Sequence, residues 1–309
     1  MKVVSYLSSV PSKNNNPQKI ELLQKFVQGV NKVGDTGIIH AGANLIDCNV
    51  AMIQGWVHQD FKSNHLALRK LIIDTQKQKN RYVATADANL FLYQNSNNPH
   101  GYLRYSFNGI FPNTGIYCDN NIDPKRWIQI QKDTGIRLQD KKQKGAWIVI
   151  MLQRNGGWSM EGQDVQQWAL QTIKKIRKHS DRPIIIRPHP GDKQAKVYLQ
   201  SNKTVIKNLP NVKISPQGRI LEEDLQKAWA VVNHNSSAIV GPIIQGYHAF
   251  VTDTVTSQCS DVAHNDFRWI ENPQDFDRQR WLERISMFHW KFSELEDGSC
   301  WRHMRNYCQ

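Results

Sequence analysis

A chain of 309 residues with 39% hydrophobic and 22% charged residues, 12 prolines and 18 glycines can bury the cores of two ordinary α/β domains, which excludes extended disorder. Forty Lys and Arg against 27 Asp and Glu leave a formal charge of +13, a balance that favours a polyanionic partner such as nucleic acid. Five scattered cysteines without a C-x-x-C pair argue against a zinc site and for a reducing, cytoplasmic setting, and no stretch approaches the ~18 consecutive apolar residues of a membrane span.

The first strand is expected over residues 3–7. A helix follows in PQKIELLQKFVQGVNKVG, where Ile20, Leu23, Phe26, Val27 and Val30 recur at helical spacing and Gly34 ends the run. Residues 37–40 read as a second strand, ending in Ala41-Gly42-Ala43-Asn44, and residues 49–54 as a third, ending in Gly55-Trp56. A helix over 64–78 carries Leu66, Leu68, Leu71, Ile72 and Ile73, and a strand over 81–86 runs directly into Asp87. Strands alternating with helices imply a mostly parallel sheet whose functional residues gather at the carboxyl ends of the strands, where His40, Gln54, Trp56, His58 and Asp87 fall. In residues 99–127, Tyr102, Tyr105, Phe107, Phe111 and Tyr117 interleave with Arg104, Lys125 and Arg126. That interleaving suits base stacking with phosphate contacts, and equally suits aromatics that close a core beneath a long loop.

The charged run QDKKQK, residues 139–144, reads as a linker between a first domain, 1–144, and a second, 145–270. The second opens with a strand over 147–152, the turn Gln153-Arg154-Asn155-Gly156-Gly157-Trp158, and a helix over 165–178 with Trp168, Ala169, Ile173 and Ile176. A strand over 183–186 ends in Arg187-Pro188-His189-Pro190-Gly191, and another is expected over 213–215. In WAVVNHNSSAIVGPIIQGYHAFVTD a buried strand is broken at Asn233 to Asn235. Ser236 and Ser237 then open an apolar helix that leads to a second strand. Residues 271–309 are expected as helices packing across the two domains, with 275–290 and 293–304 as the helical runs.

Three strand ends of the second domain therefore carry matched equipment for a nucleotide diphosphate. Glycine lets backbone approach a ligand, Arg forks onto phosphate, His donates to an oxyanion, and a helix start offers unpaired N–H groups, which assigns Arg154, Gly156, Gly157, Arg187, His189, Ser236 and Ser237 to a donor site. Ser236 is alternatively a plain N-cap. Neither a G-x-x-x-x-G-K-[ST] loop nor a G-x-G-x-x-G after a strand is present, against a P-loop ATPase and an ordinary dinucleotide dehydrogenase.

RPHPG and NHNSSAIV…GYHAFVTD, set in the second of two α/β halves with helices after it, resemble the GT-B-fold glycosyltransferases, in particular their capsule-polysaccharide and glycerophosphotransferase-like members. The motifs cover most of residues 145–270; the first half matches by architecture. LQRNGGWSMEG, RPHPGD and LRYSFNGIFPNTGIYC further resemble glycosyltransferases of bacterial viruses, a setting in which some enzymes glycosylate hydroxymethylated pyrimidines in DNA. The resemblance implies two Rossmann-like domains facing a central cleft, with the donor diphosphate held by these cations and dipoles instead of a metal, and with no cofactor beyond a nucleotide sugar such as UDP-glucose. Many members carry an acidic residue on the helix after the phosphate turn; residues 238–245 have none, which leaves the nucleotide open.

The implied reaction moves glucose to the hydroxymethyl group of 5-hydroxymethylcytosine or 5-hydroxymethyluracil in double-stranded DNA, with Asp87 as the base that takes the hydroxyl proton. Asp87 is alternatively the cap of DANLFLY, and His40, His58 and Asp60 stand in reserve. Trp56, Tyr102, Tyr105 and Phe107 are the groups expected to help extrude the target base, with Arg69, Lys70, Arg104, Lys125, Arg126, Lys141, Lys142 and Lys144 on phosphates. A glycan acceptor and a catalytically silent nucleic-acid-binding module are the alternatives. Asp275-Phe276-Asp277 fits an Asp-x-Asp metal signature, but it opens a helix after Pro273, where carboxylates meet the dipole.

Overall fold

The computed structural model describes residues 1–11, 17–57, 63–91, 98, 100–200 and 205–308. These form two compact units, Met1–Gly135 with Leu282–Gln309, and Ile136–Trp281.

Unit 1 begins with β1 (Lys2–Tyr6), α1 (Pro17–Lys32), β2 (Thr36–His40), β3 (Val50–Gln54), α2 (Asn64–Gln78) and β4 (Tyr82–Asp87). The four strands are parallel, in the order β4-β3-β1-β2. β3 is buried at Val50, Ala51, Met52 and Ile53, because helices cover both faces of a parallel sheet. Its core is closed from one side by Leu22, Leu23, Phe26 and Val30 of α1, and from the other by Leu68 and Ile72 of α2. Within the stretch read as a long loop lie two further elements, β5 (Leu103–Phe107), antiparallel to β4, and α3 (Pro124–Thr134). Asp123 caps α3 by accepting the Lys125 N–H at 3.0 Å, Pro124 occupies its first turn, and Gly135 closes it at φ 75°.

Unit 2 is a five-stranded parallel sheet, built from β6 (Trp147–Met151), α4 (Val165–Ile176), β7 (Ile184–Arg187), α5 (Ala195–Gln200), β8 (Val212–Ile214), α6 (Leu221–Leu225), β9 (Ala228–Asn233), α7 (Val240–Ile244) and β10 (His248–Val251). The strand order is β10-β9-β6-β7-β8, so β6 is central and the β6, β7 and β9 ends are neighbours. The expected linker belongs to this unit: the Gln139 N–H donates to the Ile244 carbonyl and the Lys142 N–H to the Gly246 carbonyl, both at 2.9 Å.

The chain then runs through α8 (Arg278–Ser286), shorter than the expected 275–290 helix because β11 (His289–Trp290) follows, pairing antiparallel with β5. α9 (Phe292–Glu296) and α10 (Ser299–Met304) complete unit 1. Gly29 makes this possible, since any side chain there would overlap the Leu295 carbonyl oxygen of α9. Trp301 of α10 is buried edge-on to Phe26, and its Nε1 donates to Asp35 at 2.8 Å. Residues 282–309 are therefore core of unit 1. No helix of the described residues is long and apolar enough to cross a membrane.

Candidate functional site

In unit 2 the loops after β6, β7 and β9 are tied into one surface by hydrogen bonds that no local pattern announces. Asp192, after β7, accepts from the Asn155 N–H of the β6 loop at 3.0 Å and from the Tyr198 hydroxyl at 2.8 Å. Burial pushes its carboxyl up, but these donors outweigh it and the net shift is downward, so the carboxylate is charged at neutral pH. Gln153 joins the β6 loop to the β9 turn, donating to Asn235 at 2.8 Å and to Ser159 at 2.7 Å. Asn235 in turn donates to Asp253 at 3.1 Å and to Thr256 at 2.7 Å.

On this frame His189 receives the Gly191 N–H at Nδ1, 3.0 Å, so a neutral ring carries its proton on Nε2. Burial lowers its pKa, Asp192 opposes and Arg154 adds to the fall, which keeps the ring neutral. Arg154 and Gly156 are exposed. Ser236 Oγ accepts the Ala238 N–H at 3.2 Å as an N-cap, and Ser237 is exposed. The single helix expected there is a short 3-10 turn, Ser237–Ile239, followed by α7.

Arg187 differs from expectation. Its guanidinium donates to the fully buried Asp224 at 2.6 Å and to the Arg219 carbonyl at 2.8 Å, and Ser215 adds a hydroxyl to the same carboxylate at 2.7 Å. A buried carboxylate demands a paired cation, so this fork is bound within the fold. Its aliphatic stem still lines a cavity of about 280 Å³ at the β7 and β8 ends, together with His189, Asp192, Leu199, Ser215 and Gln217.

In unit 1 Asp87 is the last residue of β4, and Arg104, directly opposite on β5, donates to its Oδ2. Among the described residues Asp87 caps no helix: residues 90–91 form a turn, and residues 92–97 lie outside the described residues. That turn is pinned by His289, which sequence inspection missed: the Leu90 N–H donates to its Nε2 at 3.1 Å and its Nδ1 bonds the Ile285 carbonyl at 2.7 Å. His289 is fully buried, and burial draws its pKa to about 3. His40 bonds the Asn44 carbonyl at 2.9 Å, and His58 and Asp60 lie outside the described residues.

The side chains expected on DNA are mostly engaged inside unit 1. Alternation along β5 turns Tyr105 and Phe107 into the core, where Tyr105, 1% exposed, stacks on Phe26 with ring centroids 6.5 Å apart. Tyr102 is equally buried, its hydroxyl on Asp133 at 2.8 Å. Neither ring is available to a base. Arg104 pairs with Asp87, Lys70 with Asp74, and Arg126 with Glu294 while lying 4.0 Å over the Trp290 ring. Arg69 is buried. Lys125 is exposed and Trp56 partly so. In unit 2 Lys141 pairs with Asp275, while Asp277 accepts the Arg280 N–H at 2.9 Å as the cap of α8. Among the described residues no cluster of three or more His, Cys, Asp or Glu side chains could hold a metal ion.

No protein-family model matches this sequence, and no curated protein sequence matches it. Among solved structures, a β-Kdo 2,4-transferase (KpsC) of Thermosulfurimonas dismutans superposes with a TM-score of 0.54 at 11% identity, over 93% of this chain and 90% of that one. A β-Kdo 2,7-transferase (KpsC) of the same organism gives a TM-score of 0.49 at 11% identity, over 97% and 99% of the two chains. The UDP-GlcNAc 2-epimerase of Methanocaldococcus jannaschii gives 0.34 at 12% identity, over 99% of each chain. At such identities the likeness is one of fold, and the first match alone is close enough to carry it. Two α/β bodies, one on a mostly parallel sheet and one on a parallel sheet, make this chain a GT-B fold.

Proposed function

We propose that the protein is a glycosyltransferase that uses a nucleotide sugar, with the donor held at the carboxyl edge of the unit 2 sheet. The observation that carries this reading is the joined surface there: a neutral, partly exposed His189 with its Nδ1 held by the Gly191 N–H, exposed Arg154 and Ser237, and the adjoining cavity. UDP-glucose is the donor we favour. Arg154, His189, the Gly156 N–H and the N–H groups of the Ser236-Ser237 turn face the diphosphate, and the cavity takes the nucleoside. The acceptor we propose is the hydroxymethyl group of 5-hydroxymethylcytosine or 5-hydroxymethyluracil in DNA, supported by the +13 charge. Asp87 takes the hydroxyl proton as the oxygen bonds to the anomeric carbon, the bond from that carbon to the diphosphate breaks, and UDP departs with the electron pair beside Arg154 and His189. Arg104 holds the Asp87 carboxylate in place.

A glycan acceptor is the second reading, favoured by the burial of Tyr102 and Tyr105 and the internal pairing of Arg104 and Arg126. Mass spectrometry of nucleosides from 5-hydroxymethylcytosine DNA, incubated with the enzyme and UDP-glucose, tests the two. A hexose on the modified base alone, lost in Asp87→Asn while UDP still binds, supports the DNA reading. UDP binding without transfer to 5-hydroxymethylcytosine or 5-hydroxymethyluracil DNA moves the assignment to glycans, and a protein that binds no nucleotide sugar is not a transferase of this kind.

A further inference from the structure

Among the described residues, one guanidinium in unit 1 is buried with no carboxylate beside it. Arg69 of α2 is 7% exposed, and its Nε donates to the Ser9 carbonyl, just past β1, at 2.8 Å. Among the described residues its two Nη nitrogens have no hydrogen-bond partner and no acidic group pairs with it, whereas Arg104, Arg126 and Arg187 each meet a carboxylate. Gly55, immediately after β3, is shaped around it: φ is 76°, and a Cβ there would stand 3.0 Å from Nη1. The Gly55 N–H bonds the Ala86 carbonyl at 2.8 Å, so Gly55 lies at the end of β4 that carries Asp87. Burial, and then the charges of Arg69 and Lys19, lower the pKa of His65. Ser63 gives α2 no side-chain cap, and neither α1 nor α2 has an acid in its first turn. The corner is electropositive, and a dehydrated cation without a counter-ion is costly to keep.

We propose that this corner of unit 1 is an oxyanion site for the acceptor, in which the Arg69 fork holds the phosphodiester next to the nucleotide whose hydroxymethyl group is presented to Asp87. The inference rests on the reading that unit 1 takes the acceptor. It makes Arg69 a substrate-positioning residue, not part of a general electrostatic coat. The +13 charge favours a phosphodiester as the source of the anion, and a carboxylate on an acidic sugar shares its chemistry.

Thermal unfolding with UDP present in excess, so that any unit 2 anion site is filled, tests the site apart from activity. Sodium phosphate is compared with sodium chloride at equal ionic strength for the wild type, Arg69→Met and Arg69→Lys. At about ten times its dissociation constant, phosphate raises the wild-type Tm by roughly 3 °C more than that of Arg69→Met. Arg69→Lys keeps the charge and the stem but not the fork, and loses at least half of the shift, which covers the case in which Arg69→Met does not fold. Equal shifts in wild type and variants overturn the proposal. The source is then separated with 5-hydroxymethylcytosine DNA carrying one neutral methylphosphonate beside the target. About tenfold slower transfer by the wild type, with no further loss in Arg69→Lys, identifies the phosphodiester. Transfer indifferent to the methylphosphonate removes that source, and a Tm shift with glucuronate in place of phosphate then assigns the anion to an acidic glycan. Absence of transfer to any DNA defeats the proposed acceptor, while the phosphate shift still reports on the site.

Discussion

The two units share a parallel α/β plan and employ their charged side chains differently. At the strand ends of unit 2, carboxylates bind loops to one another: Asp192 joins the β6 and β7 loops, and Asp253 anchors the β9 turn through Asn235. Arg154 is left exposed over that frame. In unit 1 the cations themselves are consumed, Arg104 by Asp87, Arg126 by Glu294 and Lys291 by Asp133, and the buried exception is Arg69. A net charge of +13 therefore does not locate a binding face. What a basic side chain can do for a ligand depends on whether a carboxylate already holds it.

The largest effect expected from this contrast lies in unit 2. Asp224→Ala strands Arg187 and Arg219 beside an empty site, and a loss of about 3–5 kcal/mol should appear in denaturant unfolding. A near-neutral result would mean that Arg187 is as free as Arg154. Next comes Tyr105→Ala, which removes a buried ring from the unit 1 core and should cost about 3–5 kcal/mol. An unchanged stability together with weakened DNA binding would instead return Tyr105 to a nucleic-acid surface.

A pH dependence follows from His289. Its folded pKa, about 3, lies well below the ordinary value near 6.5, so the fold holds it neutral while the unfolded chain takes up a proton first. Its contribution is fully present above pH 6.5 and is lost as the pH falls through that window toward 3, at up to about 1.4 kcal/mol per pH unit. His289→Gln should flatten that slope in unit 1, and an unaltered slope would place the titration on other buried histidines, such as His234 or His264 in unit 2.

Smaller effects separate two of the exposed cations, Arg154 and Lys125. Arg154→Ala should weaken UDP binding about tenfold in calorimetry without altering stability. Lys125→Ala should leave UDP binding unchanged and lower the salt slope of DNA binding by about one. If Arg154→Ala leaves the UDP dissociation constant unchanged, the donor does not sit on the β6 loop.

Much of the fold was legible before any coordinates. α2 occupies the residues its periodicity indicated, and β1 to β4 lie within one residue of the expected bounds, because apolar runs and helical spacing are local signals. The signals for α3 were present but went unread: Asp123 before Pro124, and Gly135 eleven residues after that proline. β5 shows the ambiguity of alternation, since LRYSF reads alike whether its aromatics face a ligand or a core. The candidate donor residues at the β6, β7 and β9 ends could be named from turn chemistry, because glycine, arginine and serine act there through their own local conformation and charge.

What tertiary structure alone decided is which of those charges are already engaged. Arg126 meets Glu294 across 168 positions of sequence, Lys25 meets Glu296 across 271, and Arg187 meets Asp224 across 37. The return of residues 282–309 to the unit 1 sheet is of the same kind, since it depends on Gly29 admitting the backbone of α9 and on Asp35 accepting from Trp301. Periodicity and turn chemistry act over a few residues, whereas burial and ion pairing join positions whose separation no local pattern records. The sequence thus determined the strands, the helices and the kinds of side chain at their ends, and only the packed chain decided that Arg187 is bound, Arg154 exposed and Arg69 buried without a carboxylate among the described residues.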